Sequence, residues 1–466
     1  MSKKTILIIK FIIVIAVGII IANIPPTDDL SLEAMRYIGI FIAMLLGMVL
    51  KILPDYVTVL MALVACFQFE VADFSTIFSG FASTTVWMVV IIIGFATAIS
   101  ASGLMKRIAL NVLKFFKPNY QGQVLAIMCA GTILSPLIPN MPAKVAVLAP
   151  FANSISQEIG FKPRSKGAAG FFSAMFVTSN IIGLAFMTGS TFVFMLLGLL
   201  PKEVAAEFDW IRWFVSCAAW FIVMFVGFYF FIINYYKPEE KMELPPDFIR
   251  NKLKDLGPMS GNEKFCATTL LIGIVLWITT SIHGIDSLVI AAVLFLAVII
   301  KGLFSVADLS AKIPWVVFLI MGSIIGLSSL LTTTGVNKWL TKILAPILTP
   351  FVFNDFMLVL VVTVATYLLR YVVVSLFACL TIMFAIFTPI AASLGINPFV
   401  VVWTAYTATQ VWNLSFHNTS YIQAEGMAGK MIEWKDVFPS SVAYMVINLL
   451  GNLACIPVWT MLGFLK

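Results

Sequence analysis

An all-α polytopic membrane protein made of two related halves is the fold class this sequence predicts, and three observations predict it. Of 466 residues, 61% are hydrophobic and 11% charged, against roughly 45–50% and about 25% in soluble domains. Apolar runs of spanning length follow one another along nearly the whole chain, and its mean hydropathy is +1.04. A polar segment near the middle separates two series of such runs, and the two series share local sequence.

At roughly 20 residues per span plus short loops, the length allows about 10 to 13 transmembrane helices, and we read about 11. The net charge of +7 comes from Lys and Arg spread through the loops, as topology signals are, so it indicates membrane orientation and no nucleic-acid partner. Six cysteines fall singly and mostly within apolar runs, without the close pairs of a zinc or redox motif. The N-terminus, MSKKTILIIKFIIVIAVGIIIANI, lacks a small-residue cleavage pattern and leads directly into further spans, so it reads as a first membrane helix.

In chain order, the first half (1–236) has apolar runs near 5–24, 33–51, 54–70, 85–102, 122–138, 143–158, 168–200 and 210–235. Met105 to Lys117 sets Lys106, Arg107, Lys114 and Lys117 around apolar residues and suits an interfacial amphipathic helix. The segment 237–264 holds Pro238, Pro245, Pro246 and Pro258 and a cluster of Lys and Arg, which reads as a cytoplasmic linker. The second half (265–466) has runs near 265–281, 286–303, 314–334, 341–351, 355–376, 378–394, 398–425 and 439–465. Val71-Ala72-Asp73-Phe74-Ser75 matches Val306-Ala307-Asp308-Leu309-Ser310, and a tryptophan-led run follows each, from Trp87 and from Trp315.

Both halves also carry interruptions. In the first, Pro136, Pro139 and Pro142 break the run just before Lys144. Broken backbone at membrane depth must be covered by protein or line a cavity, and a lysine there either snorkels to an interface or binds an anion. The corresponding stretch of the second half, Leu369 to Thr381, contains Arg370 and Ser375. Two cations at matching places fit a dianion held between them. Downstream, the polar segments Thr178-Ser179-Asn180 with Thr188-Gly189-Ser190, and Asn413 with Ser415, His417, Asn418 and Thr419, fit helices unwound for carboxylate binding. Structural hydrogen bonding is the alternative use of each such side chain.

These stretches, together with Gly80 to Trp87, AFMTGST and NLSFHNTS, resemble the divalent anion:sodium symporter family, in its carboxylate-exchanger branch, from about Asp73 to the C-terminus. The resemblance implies inverted repeats, a re-entrant hairpin and a broken helix in each half beside scaffold helices, a homodimer, and elevator-type movement. It also implies substrate contacts at the hairpin positions Asn140-Met141-Pro142 and Ser375-Leu376-Phe377, with Thr381 further along the second hairpin. Family members carry Ser-Asn-Thr at each of these positions. The replacements remove hydroxyl and amide ligands that a hard cation such as sodium needs.

The expected function is therefore sodium-independent exchange of di- and tricarboxylates, of the succinate, malate, 2-oxoglutarate and citrate class, across the cytoplasmic membrane. Lys144 and Arg370 would act as permanent charges, with no metal or other cofactor. A cation-coupled symporter of dicarboxylate or sulfate is the alternative within the class, and an anion channel the alternative outside it. A channel would show rings of like charge in place of paired broken helices. A membrane enzyme would need a nucleophile with its base or a metal-ligand set inside the spans, and the sequence offers neither.

Overall fold

Lipid offers no partners to backbone N–H and C=O groups, so a spanning segment must close its hydrogen bonds internally, and the apolar runs accordingly form helices. The computed structural model describes residues 3–239, 243–348, 350, 354–416 and 418–465. Ten helices among them are long and apolar enough to cross a membrane.

After α1 (Lys3–Ala22), the first half runs α2 (Leu32–Val49), α3 (Asp55–Gln68), α4 (Phe74–Ile77), α5 (Thr84–Ala101), α6 (Leu104–Leu113), α7 (Tyr120–Leu134), α8 (Met141–Glu158), α9 (Lys166–Phe176), α10 (Thr191–Leu199), α11 (Lys202–Ala205) and α12 (Trp210–Tyr235). The linker carries α13 (Phe248–Lys254). The second half runs α14 (Gly261–Ile278), α15 (Thr280–His283), α16 (Ser287–Ile300), α17 (Val306–Lys312), α18 (Trp315–Thr333), α19 (Val336–Leu348), α20 (Asp355–Val372), α21 (Leu376–Ser393), α22 (Pro398–Thr409), α23 (Thr419–Ala428), α24 (Trp434–Ala454) and α25 (Ile456–Met461).

The element order recurs. Two helices and a short capped turn lead to a long helix and a shorter one. A helical pair joined by a tight break follows, then a helix interrupted midway, then a long closing helix. In the repeated unit that begins at α2, the helices α2, α5, 166–185 and α12 are long and apolar enough to cross a membrane, and α3 is a shorter apolar helix. Five crossings in that unit would bring the second half in from the opposite face, as inverted repeats require.

The halves interlock. α3 packs on α18 as α16 packs on α5, and α12 lies along α24. Close approach of α18 to α4 and to the following 3-10 turn at Ser79–Ala82 depends on missing side chains. A Cβ on Gly322 would stand 2.5 Å from the Phe81 ring, and one on Gly326 would run into the Ile77 carbonyl.

Some segments differ from the sequence expectation. The run at 168–200 is three pieces: α9, a π-turn at Val177–Ile181 followed by a 3-10 turn at Ile182–Ala185, and α10. The interfacial helix expected over Met105 to Lys117 stops at Leu113, and the linker holds a helix of its own. His283 closes the one-turn α15 and its Nε2 lies 2.9 Å from the Leu276 carbonyl.

Candidate anion site at four helix breaks

The first hairpin turns through Ser135–Leu137 in 3-10 form, then an extended Ile138, and re-enters a helix at Met141. Pro142 sits in the first turn of α8, where a proline's missing N–H costs nothing, so the break is written into the sequence. Lys144 follows in that turn and its side chain is buried, 1% exposed. Its Nζ donates to the Gly189 carbonyl at 2.9 Å.

Gly189 belongs to the second break, the tight turn between the 3-10 turn and α10, where its N–H donates to the Phe186 carbonyl at 2.8 Å. Two contacts tie this break to the hairpin. Ser135 Oγ lies 3.0 Å from the Thr178 carbonyl, and Thr188 Oγ1 donates to the Pro136 carbonyl at 2.7 Å. A Cβ on Gly183 would stand 2.8 Å from Lys144 Nζ, and one on Gly189 would collide with the Gly183 carbonyl. Glycine at both positions is what lets the ammonium reach backbone. Ser190 caps α10 through the Phe192 N–H, at 3.3 Å. Ser179 Oγ and Asn180 Nδ2 are buried in the π-turn and have no hydrogen-bond partner among the described residues.

The second hairpin breaks at 373–375. Arg370, on the last turn of α20, is 1% exposed and donates from Nη1 to the Val373 and Val374 carbonyls at 2.9 and 2.6 Å. Ser375 caps α21 through the Ala378 N–H at 3.2 Å and donates to Asp55 Oδ2 at 2.8 Å, a contact reaching across to the first half. Thr381 bonds back to the Phe377 carbonyl of its own helix, at 2.8 Å.

In the fourth break, between α22 and α23, the predicted residues divide. Asn413 is held by Ser441 at 2.6 Å and by the Tyr371 hydroxyl at 2.8 Å, and Asn418 caps α23 through Ser420 and Tyr421. Ser415 and Thr419 are exposed. His417 lies outside the described residues. In the first hairpin, Asn140, Met141 and Pro142 are half-buried at the tip, and Asn140 makes no side-chain cap.

Aromatic rings join the second break to the second hairpin and to the fourth break. Phe192, just after the second break, has its ring 5.6 Å from Phe377 in the second hairpin and 5.6 Å from Tyr406 on α22. Phe176, just before the π-turn, stands edge-on to Trp412 in the fourth break, centroids 5.0 Å apart. A cleft of about 1490 Å³ opens beside this assembly between α5, α10, α18 and α21, reaching Met187 next to Thr188, and neither cation lines it.

The sequence reading missed a polar stripe on α24. Ser440, Tyr444, Asn448 and Asn452 recur at every fourth position and are buried. Asn448 accepts from Trp220 at 2.8 Å and donates to Tyr367 at 2.9 Å, Asn452 Nδ2 lies 3.0 Å from Thr407 Oγ1, and Ser440 Oγ is 2.7 Å from Ser173 Oγ. The period of four in an apolar helix was the available signal. Among the described residues no group of three or more His, Cys, Asp or Glu could hold a metal ion.

Repeated re-entrant hairpins and broken helices in an apolar bundle define a membrane transporter. The chain belongs to the sodium:sulfate symporter family, a divalent-anion transporter family, whose transmembrane-region model matches residues 5–463. An uncharacterized transporter of Haemophilus influenzae is 27% identical, over 85% of this chain and 83% of that one. The chloroplastic dicarboxylate transporter 1 of Spinacia oleracea is 25% identical, over 83% of this chain and 69% of that one. Among solved structures, the Alcanivorax borkumensis YdaH transporter has the same fold, with a TM-score of 0.58, 15% identity, and coverage of 99% of this chain and 98% of that one.

Proposed function

We propose that this protein exchanges one dicarboxylate for another across the cytoplasmic membrane, independently of sodium, with Lys144 and Arg370 as permanent charges of the substrate site. The observation that carries the proposal is Lys144 Nζ on the Gly189 carbonyl, buried and, among the described residues, in no ion pair. An ammonium set on a backbone carbonyl of an unwound helix stands where a coordinated cation would otherwise be needed. Unlike a bound sodium ion, the amine stays attached to the chain when the substrate leaves.

The chemistry then constrains the cycle. Moving an uncompensated buried charge through a low-dielectric environment costs several kcal/mol even after relaxation. A bound dianion compensates the Lys144 charge, so the loaded carrier moves and the empty one stalls. The unpartnered Ser179 and Asn180 supply hydrogen bonds to the substrate carboxylates, and the glycines of the second break admit them closely. The four breaks and the α24 stripe form the moving body of an elevator, and the crossed α3–α18 and α5–α16 pairs belong to the scaffold of a homodimer. The name of the spinach relative supports a dicarboxylate as cargo.

Uptake of labelled succinate into proteoliposomes tests this. Uptake should require internal dicarboxylate, be unchanged when sodium is replaced by potassium, and be lost in Lys144→Ala. Accumulation in empty liposomes driven by a sodium or proton gradient would identify a cation-coupled symporter instead.

A further inference from the structure

On the face opposite the large cleft, α6 and the linker helix α13 enclose a second cavity of about 560 Å³, lined by Arg107, Lys114, Phe115, Arg250, Leu253 and Lys254. The chain path fixes the face. α5 starts at the cleft with Thr84 and Thr85 and leads away from it into α6 at Leu104.

One of the four cations builds the pocket wall. Arg107 Nε pairs with Glu263 Oε1 at 2.8 Å and Nη1 donates to the Gly257 carbonyl at 2.9 Å, clamping α6 to the end of the linker. The other three line the pocket without such a clamp. Lys114 is exposed and bonds only the Asn111 amide oxygen, at 2.7 Å. Lys254 is exposed, and Arg250 has a loose contact to Asp247 at 3.8 Å, both side chains 72% exposed. Asp255 is exposed on the linker just after α13, and Glu243 pairs through its backbone with Asn119 beyond the end of α6. Phe115 is 78% exposed, with Lys114 Nζ 5.1 Å from its ring centroid.

Cations gathered around a pocket, with a bare aromatic ring at the end of a span, match a ligand that is anionic at one end and apolar at the other. We propose that this pocket binds the phosphate headgroup of an anionic phospholipid in the linker-side leaflet, with Phe115 set among its acyl chains. Because α6 joins α5 to the first hairpin, the lipid would tie that joint to the linker.

Native mass spectrometry of the full-length protein offered equal phosphatidylglycerol and phosphatidylcholine tests the site. The protein should retain phosphatidylglycerol preferentially, and Lys114→Gln with Lys254→Gln should weaken that preference by about fivefold per lysine removed. Both lysines are exposed, so folding is kept, and Lys202→Gln on the cleft rim should leave the preference intact. Equal retention of both lipids, an unchanged preference in the double variant, the same loss in Lys202→Gln, or displacement of the lipid by millimolar inorganic phosphate would overturn the proposal.

Discussion

Lys144 donates its one observed hydrogen bond to a carbonyl oxygen, so its positive charge is positioned without being cancelled. Removing it has two separable effects. The Gly189 carbonyl loses a charged donor, which costs about 1–3 kcal/mol of stability, and the anion loses its fixed counter-charge. Lys144→Ala should therefore lower the melting temperature modestly but abolish exchange, and succinate, which should stabilise the parent protein by binding its folded state, should no longer shift that temperature. A melting shift by succinate that survives in Lys144→Ala would remove this lysine from the site. Gly183→Ala probes the same geometry without touching the charge. Its methyl group would stand 2.8 Å from Nζ and push the ammonium off Gly189. We expect exchange to fall at least tenfold while the protein still purifies and folds.

At the scale of elements, packing and hydrogen bonds separate what moves from what holds. A side chain at Gly322 would meet Phe81 where α18 crosses the turn at Ser79–Ala82, so Gly322→Leu should destabilise the fold by about 1–3 kcal/mol of overpacking, read as a lower melting temperature. Asn448→Leu severs Trp220 from Tyr367: the buried Trp220 N–H loses its acceptor, and the Tyr367 hydroxyl, which itself donates to the Met445 carbonyl, loses the donor it accepts from. Comparable destabilisation should follow, with exchange lost in proportion as the closing helices α12 and α24 loosen.

The same scale shows what the sequence could reveal. The first hairpin was legible because prolines at 136, 139 and 142 leave no continuous helix, and the fourth break because Asn413 to Asn418 is too polar for a lipid-facing run. The uses of the side chains were not legible. Asn413 is hydrogen-bonded to Ser441 and Tyr371, and Arg370 turns back on the carbonyls of its own break, neither of which the sequence indicates. Such partners are set by helices that meet only after folding, as Ser375 meets Asp55 across 320 positions.

For the whole molecule, inverted repeats offer two related conformations, and the cross-half contacts that differ between them set the rate of passage. The Ser375–Asp55 bond joins the tip of the second hairpin to the start of α3. If the hairpin travels and α3 stays, this bond breaks in each cycle. Asp55→Ala should then change the exchange rate without altering the substrate concentration for half-maximal exchange, whereas a change in that concentration alone would place Asp55 at the substrate site.

If its positive charges are fixed to the chain, the carrier reorients only when loaded. The release of labelled succinate from preloaded proteoliposomes, with and without dicarboxylate outside, in sodium-free buffer, measures this. The fixed-charge account predicts that release into dicarboxylate-free medium is slower than exchange by on the order of 100-fold, the consequence of a few kcal/mol in the empty-carrier barrier. Equal rates under the two conditions would contradict it.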